Sequence, residues 1–137
     1  LLSIRSEEHE AVVEPIRDLV SNGFKVVATS GTARCLRSHG IDVDEFNKVH
    51  EGSPHTVDHI ENGGVDVVMN TAAPDPKAIA DSYSMRRAAL LRGIPYFTTL
   101  PAIRAAAGAI RALRNESIGV RSLQEIHARM EADRLAG

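Results

Sequence analysis

The sequence predicts an α/β domain: a doubly wound, mainly parallel five-stranded sheet with helices on both faces. Two observations carry that reading. Short apolar runs alternate with longer stretches of helical periodicity along the whole 137 residues. The run Phe24 to Ala28 also stops at Thr29-Ser30-Gly31-Thr32 and hands over at once to a helical pattern. That is how a buried parallel strand of a Rossmann or flavodoxin type sheet delivers a helix with its free N–H groups facing outward.

Taken in order, Leu1 to Arg5 is a short apolar strand ending at Ser6, which is placed to cap a helix whose first turn holds Glu7 and Glu8. Val12, Val13, Ile16, Leu19 and Val20 recur at helical spacing until Asn22-Gly23. Pro15 falls inside that helix and should kink it or remove a hydrogen bond. Phe24 to Ala28 is the second strand, and its helix turns Ala33 and Leu36 inward before ending at Gly40. A brief extended piece at Val43 to Phe46 follows. Residues 47–59 read as a long polar loop with one short helix from His55 to Glu61, and loops of that length in small domains are usually functional or mobile.

Asn62-Gly63-Gly64 is a turn, and Val65 to Met69 is a β-branched strand that ends at Asn70-Thr71. Asp75-Pro76 opens a helix with Ala78, Ile79, Ser82, Met85, Ala89 and Leu90 on its inner side, up to Gly93. Ile94 to Phe97 is the last strand, and Pro95 near its start suits an edge. Thr98-Thr99 leads into an alanine-rich helix from Pro101 to Leu113. Ser122-Leu123-Gln124-Glu125 is a capping box that opens a short helix with Leu123, Ile126 and Met130 on one side. The expected organisation is one domain over 1–137, with 1–113 as the α/β core and 114–137 as a C-terminal extension. The absence of an initial methionine reads as a piece excised from a longer chain or a processed N-terminus.

An apolar share of 43% and a charged share of 25% are those of an ordinary globular protein. A formal charge of -2 with mixed signs gives no basic face for nucleic acid. No run approaches the roughly 18 apolar residues that span a bilayer, and no signal peptide is visible, so no membrane partner and a cytoplasmic location are expected. The single cysteine, Cys35, rules out an internal disulfide and a CxxC site and reads as a small packed side chain. Arginine outnumbers lysine thirteen to three, which makes a lone loop lysine worth notice.

Ligands of such sheets bind beyond the carboxyl ends of the strands. Those ends read Ser6, Thr29-Ser30-Gly31-Thr32, Asn70-Thr71 and Thr98-Thr99, a rim of neutral donors that suits a bound anion better than proton transfer. Lys48 is the natural counter-charge for a phosphate. Each piece has a plainer reading: hydroxyls and glycine before a helix also cap it, Lys48 also fits a solvated loop, and Asn70 also closes a turn. His50, His55 and His59, with Glu51 and Asp58, have the sequence spacing of a zinc site, but Gly52 and Pro54 separate the first two histidines. The reading adopted is a polar loop whose shape His50 and Glu51 fix through hydrogen bonds to backbone, with no metal and no catalytic residue.

The segments 28–33 (Ala-Thr-Ser-Gly-Thr-Ala), 47–55 (Asn-Lys-Val-His-Glu-Gly-Ser-Pro-His), 70–71 (Asn-Thr), 81–90 (Asp-Ser-Tyr-Ser-Met-Arg-Arg-Ala-Ala-Leu) and 94–100 (Ile-Pro-Tyr-Phe-Thr-Thr-Leu) together carry a resemblance. The chain resembles, from Leu1 to about Met130, the C-terminal regulatory domain of the carbamoyl phosphate synthase large subunit, of the methylglyoxal-synthase-like superfamily. The resemblance implies an allosteric domain that makes no product itself and binds a nucleotide effector, UMP as inhibitor or IMP as activator in many bacteria. It maps the effector site onto Thr29, Thr32, Lys48, Asn70 and Thr71, which with Ser30 and Gly31 complete the expected anion cradle, and sets Tyr96 and Thr98 toward ornithine.

The implied partners are the remaining large-subunit domains and a glutaminase small subunit. The implied parent is a glutamine-hydrolysing, ATP-dependent synthase using Mg or Mn, with no cofactor in this domain. Two departures stand out. Many bacterial members continue Asn-Thr with a further threonine, a glycine and basic residues, where this chain has Ala72-Ala73-Pro74-Asp75-Pro76-Lys77, and Phe97 replaces an aspartate found in some members. The alternative is a methylglyoxal synthase acting on dihydroxyacetone phosphate, which needs a carboxylate base. Asp58 is the acid expected nearest the site, and the Gly-Gly-Asp signature of that enzyme is missing.

Overall fold

The computed structural model describes residues 1–115 and 119–135, so residues 116–118 and 136–137 of the expected extension lie outside the described residues. Its strands are β1 (Leu2–Ile4), β2 (Val27–Thr29), β3 (Asp44–Phe46), β4 (Val68–Thr71) and β5 (Tyr96–Phe97). All are parallel, in the order β3-β2-β1-β4-β5. Parallel neighbours need crossovers, and α1 (His9–Ser21), α2 (Ser30–Ser38), α3 (Thr56–Glu61) and α4 (Pro76–Leu91) supply them, with α5 (Leu100–Asn115) and α6 (Leu123–Leu135) following the last strand. The chain winds outward from β1 to β3, then returns to lay β4 against the other side of β1. That return puts the topological switch point between β1 and β4, at the carboxyl edge.

Two apolar clusters sandwich the sheet, as helices on both faces require. Val12, Ile16 and Leu19 of α1, Ala33 and Leu36 of α2, and Ile103 and Ala107 of α5 pack with Leu2, Ile4, Ala28 and Met69. Ile60 of α3 and Met85, Ala88 and Ala89 of α4 pack with Val65 and Val68 on the opposite face. The alternation of Val68 and Met69 between the clusters is the two-residue period of a strand. Fully buried Ile16, Leu36, Ile60 and Met85 each contribute about 1.5–3 kcal/mol. Cys35 is half-buried and packs against the first cluster.

The strands are shorter than their apolar runs because pairing lasts only where a neighbour lies alongside. β1 has three residues, and its register Ser3↔Asn70 and Ile4↔Thr71 draws those two polar residues into β4. Ser6 does not cap a helix. Residues Ser6–Glu8 form a 3-10 turn closed by backbone, with the Glu8 N–H donating to the Arg5 carbonyl at 3.0 Å, and α1 begins at His9. On α4, Ser82, Met85 and Ala89 face inward as expected, together with Asp81 and Ala88, but Ile79 is 56% exposed and Leu90 79%. Each lies one residue, about 100° of helix rotation, beyond a position on the buried side. Asp75 caps α4 through the Ala78 N–H (3.0 Å). The Ser122–Glu125 capping box forms, while Leu123, Ile126 and Met130 remain exposed. Among the described residues, no helix is long and apolar enough to cross a membrane.

Pro15 does not break α1, which runs through it with the proline ring buried. Its missing N–H would have bonded the Ala11 carbonyl, four residues back. Arg104 of α5 reaches that carbonyl instead, with Nη2 at 3.4 Å. Arg104→Ala is therefore expected to lower unfolding free energy by about 1 kcal/mol. Equilibrium denaturation should show that loss shrinking in a Pro15→Ala background, where the helix bonds its own carbonyl; an equal loss in both backgrounds would refute the account.

At α3, the Asp58 carboxylate accepts from the His55 N–H (2.9 Å) and the Ser53 hydroxyl (2.7 Å), while His55 Nδ1 accepts from the Asp58 N–H (3.3 Å). Ser53, and after it the His55 N–H, hold the Asp58 carboxyl below the usual carboxylate range. A depressed carboxyl stabilises the fold above its unfolded pKa, and that contribution is lost as pH falls through the folded pKa. Asp58→Ala should thus melt below wild type at pH 7, with the gap closing below about pH 4; thermal scans at both pH values check it.

Candidate functional site

β1 is the central strand, and its end shapes the carboxyl edge. Its ladder to β2 is the single pair Leu2↔Ala28, so the Ile4 N–H has no strand partner on that side. Thr32, in the first turn of α2, supplies one: its Oγ1 accepts from the Ile4 N–H (3.1 Å) and contacts the Ile4 carbonyl (3.3 Å). On the other side, Thr71 Oγ1 accepts from the Arg5 N–H (3.1 Å). His9 Nε2 lies 2.9 Å from the Ile4 carbonyl and 3.4 Å from Thr32 Oγ1. A Cβ on Gly31 would sit 3.3 Å from the His9 ring, so glycine leaves the imidazole its place.

Beyond these ends lies a cavity of about 340 Å³. Of the residues singled out from the sequence, Thr29, Gly31, Thr32, Lys48, Asn70 and Thr71 line it together. Ser6 lines it as well. Lys48 and the 29–32 turn thus face one space, and Asn70 shares it. Ser30, Tyr96 and Thr98 are not among its lining residues. Ser30 engages Glu45, whose carboxyl is held below the usual range first by Arg37 and then by the Ser30 hydroxyl. The Tyr96 hydroxyl accepts from Asn70 Nδ2 (2.6 Å) and donates to the Ser82 carbonyl (3.2 Å), fixing Asn70 from behind, and Thr98 is exposed.

The loop that brings Lys48 is held differently from the expected way. Glu51 does bond backbone, accepting from the Lys48 N–H at 2.7 Å. His50 instead pairs with a side chain, Asp81 of α4, with Nδ1 2.6 Å from Oδ2. The partners lie 31 residues apart, so no local pattern could have joined them. The three histidines diverge: His50 to Asp81, His55 to the α3 cap, and His59 stacked on Phe46 with ring centroids 4.4 Å apart. Asp58, the acid expected near the site, is engaged in the α3 cap and is not among the lining residues; the acids that line the cavity are Asp75 and Asp81.

The sequence reading did not assign Arg5, His9 and Lys77 to the site, yet all three line it. Lysine is scarce in this chain, and the argument applied to Lys48 holds for Lys77. Arg5 is paired with Glu8, whose carboxyl is held below the usual range chiefly by that guanidinium, against its partial burial. Asp81 is matched by His50 and Asp75 caps α4. The two lysine ammonium groups are therefore the cations of the cavity without a paired carboxylate among the described residues. Backbone N–H groups opening α2, hydroxyls and two ammonium groups make a surface for an anion, with every lining carboxylate already committed.

A larger hollow of about 730 Å³ opens at the opposite edge, where the strands begin. Leu1, Phe24, Val26, Val65 and Val67 wall it, and its polar side chains are confined to Lys25, Asp44, His59, Asp66 and Arg114. The crossover helices α1–α4 end at that edge and begin at the other, which is why the carboxyl edge is the candidate site.

A family model described as MGS-like domain matches residues 11–98. Carbamoyl phosphate synthase large chains are similar to this chain: that of Rhizobium meliloti is 49% identical over 123 residues, 90% of this chain. That of Mesorhizobium japonicum is 45% identical over 127 residues, 93% of the chain, and that of Neisseria meningitidis serogroup A 36% over 130 residues, 95%. The chain spans only 10–12% of the length of these relatives. A crystal structure of methylglyoxal synthase from Elizabethkingia anophelis shares the fold, with a TM-score of 0.62 over 88% of this chain and 91% of that one at 12% identity.

Because Thr32 serves β1 from a buried position, Thr32→Val should leave the Ile4 N–H unpaired and lower unfolding free energy by about 1–3 kcal/mol. Urea titration checks this, and an unchanged midpoint would show that the hydroxyl does not hold the strand end.

Proposed function

We infer the function from one premise: the chain belongs to the MGS-like domain family. It is a regulatory domain that binds a nucleoside monophosphate of the UMP or IMP type in the carboxyl-edge cavity, within a carbamoyl phosphate synthase large subunit. The observation that carries this reading is the convergence of the α2 N-terminus, Lys48, Asn70 and Thr71 on one cavity at the switch point. The relatives' name supplies the enzyme. The phosphate sits against the backbone amides of 30–32 and the Thr29 hydroxyl, with Lys48 opposite. Asn70, Thr71 and Lys77 face the sugar or phosphate from β4 and α4.

Thr32 and Thr71 contribute mainly by shaping the rim, since their hydroxyls already accept from backbone. Lys77 offsets the acid that Asp75 brings where many members carry basic residues. The catalytic domains of the same polypeptide work with ATP and Mg or Mn and with a glutaminase small subunit, in the cytoplasm. Ornithine is sensed beside Tyr96 and Thr98. Effector binding changes how this domain docks on the catalytic body, and only a difference in affinity between docked states transmits it.

Calorimetric titration of the chain with UMP and with IMP tests the reading. Binding of at least one is expected, weakened about tenfold or more by Lys48→Ala, because a charge-assisted hydrogen bond contributes about 1.5–3 kcal/mol. No heat with either nucleotide at millimolar concentration, or binding indifferent to Lys48→Ala, overturns it.

A further inference from the structure

On the outer side of the α1–α2 pair, three side chains of different chemistry meet: Glu10 of α1, Cys35 of α2, and His39, which caps the end of α2. Their donor atoms all lie within 4.8 Å of one another, the only such group among the described residues. Glu10 Oε2 is 3.2 Å from His39 Nε2, and Glu10 Oε1 is 3.7 Å from Cys35 Sγ. Cys35 and His39 are four residues apart and so share one helix face, while Glu10 reaches across from the neighbouring helix. None of the three lines the carboxyl-edge cavity.

His39 Nδ1 lies 3.0 Å from the Cys35 carbonyl. A proton donated there leaves the Nε2 lone pair aimed at the Glu10 carboxylate, the orientation a metal-binding imidazole takes from its backbone partner. Two acceptors then face each other across 3.2 Å, an arrangement relieved by a proton or by a cation. A tetrahedral ion with bonds of about 2.0–2.3 Å sets its ligands about 3.3–3.8 Å apart, so the three donor atoms, all within 4.8 Å of one another, need to close in only slightly to hold one.

We propose that Glu10, Cys35 and His39 form a binding site for a divalent transition metal of the zinc type, with water as fourth ligand. A thiolate beside an imidazole selects zinc-like ions over magnesium or calcium, and two anionic ligands neutralise the dication. Binding releases the thiol proton to solvent and clips α1 to α2.

The test is a Co²⁺ titration of the reduced chain, with Co²⁺ as the spectroscopic probe. A thiolate-to-cobalt charge-transfer band saturating at one equivalent is expected, bleached by Zn²⁺ and absent in Cys35→Ser. His39→Gln and Glu10→Gln should each weaken Co²⁺ binding by about tenfold or more, with far-UV circular dichroism confirming that each variant is folded. No band from folded wild type at millimolar Co²⁺ overturns the proposal. So does a band whose midpoint is unmoved in either variant, which would mark a lone thiolate or an ion pair of Glu10 with His39.

Discussion

The carboxyl edge of this molecule depends on how a three-residue central strand is brought to an end. β1 is flanked on both sides, and successive residues of a strand direct their N–H groups to opposite neighbours. When the ladder to β2 stops after one pair, the next buried N–H must find another acceptor, since an unpaired one costs about 1–3 kcal/mol. Two threonine hydroxyls meet the need, Thr32 for Ile4 and Thr71 for Arg5. Each belongs to a different neighbour of β1, so the same pair of bonds that finishes the strand also fixes α2 and β4 against it. The rim is therefore set before any ligand arrives.

This division of labour separates the polar groups of the cavity. Thr32, Thr71 and the Asn70–Tyr96–Ser82 chain are already bonded and act as framework. The ammonium groups of Lys48 and Lys77 and the amides that open α2 remain for an anion. The carboxylates nearby are occupied by a cap, by His50 or by Arg5.

Much of this was legible in the sequence, and the boundary of legibility is physical. Apolar runs and helical periods gave the parallel sheet and its covering helices, and the ends of the runs marked Thr29, Gly31, Thr32, Asn70 and Thr71 as neighbours on one edge. What stayed hidden depends on register or on partners far apart in the chain. Asn70 and Thr71 were expected past the strand and lie within it, because β1 sets where pairing stops. Ser6 looked like a cap until the backbone closed its own turn. Ile79 and Leu90 were drawn inward by their chemistry, although helix rotation carries them outside. The tolerance of Pro15 needs Arg104, and the hold on Lys48 needs Asp81; neither partner is local, so neither leaves a motif.

The segment from Asn47 to His55 is where an effector on the proposed site would gain leverage. Its two ends are closed on each other by the Asn47↔His55 bridge and by the Thr56 N–H, which donates to the Asn47 carbonyl. Beyond that, it is tied to α4 by the His50–Asp81 pair, in which the histidine is 37% exposed, and by Val49, which packs against the cluster of Met85, Ala88 and Ala89. A segment so lightly fastened sits at the low-stability end of a domain, where local opening takes little free energy. An anion gripping Lys48 and the α2 amides adds a second fastening between that segment and the rim. One or two charge-assisted hydrogen bonds contribute about 1.5–3 kcal/mol each. That is on the scale of the 1–3 kcal/mol that typically couples two sites. On the function proposed above, coupling would require no rearrangement of the sheet, only that the proposed catalytic body prefer the fastened or the loosened form of this one loop.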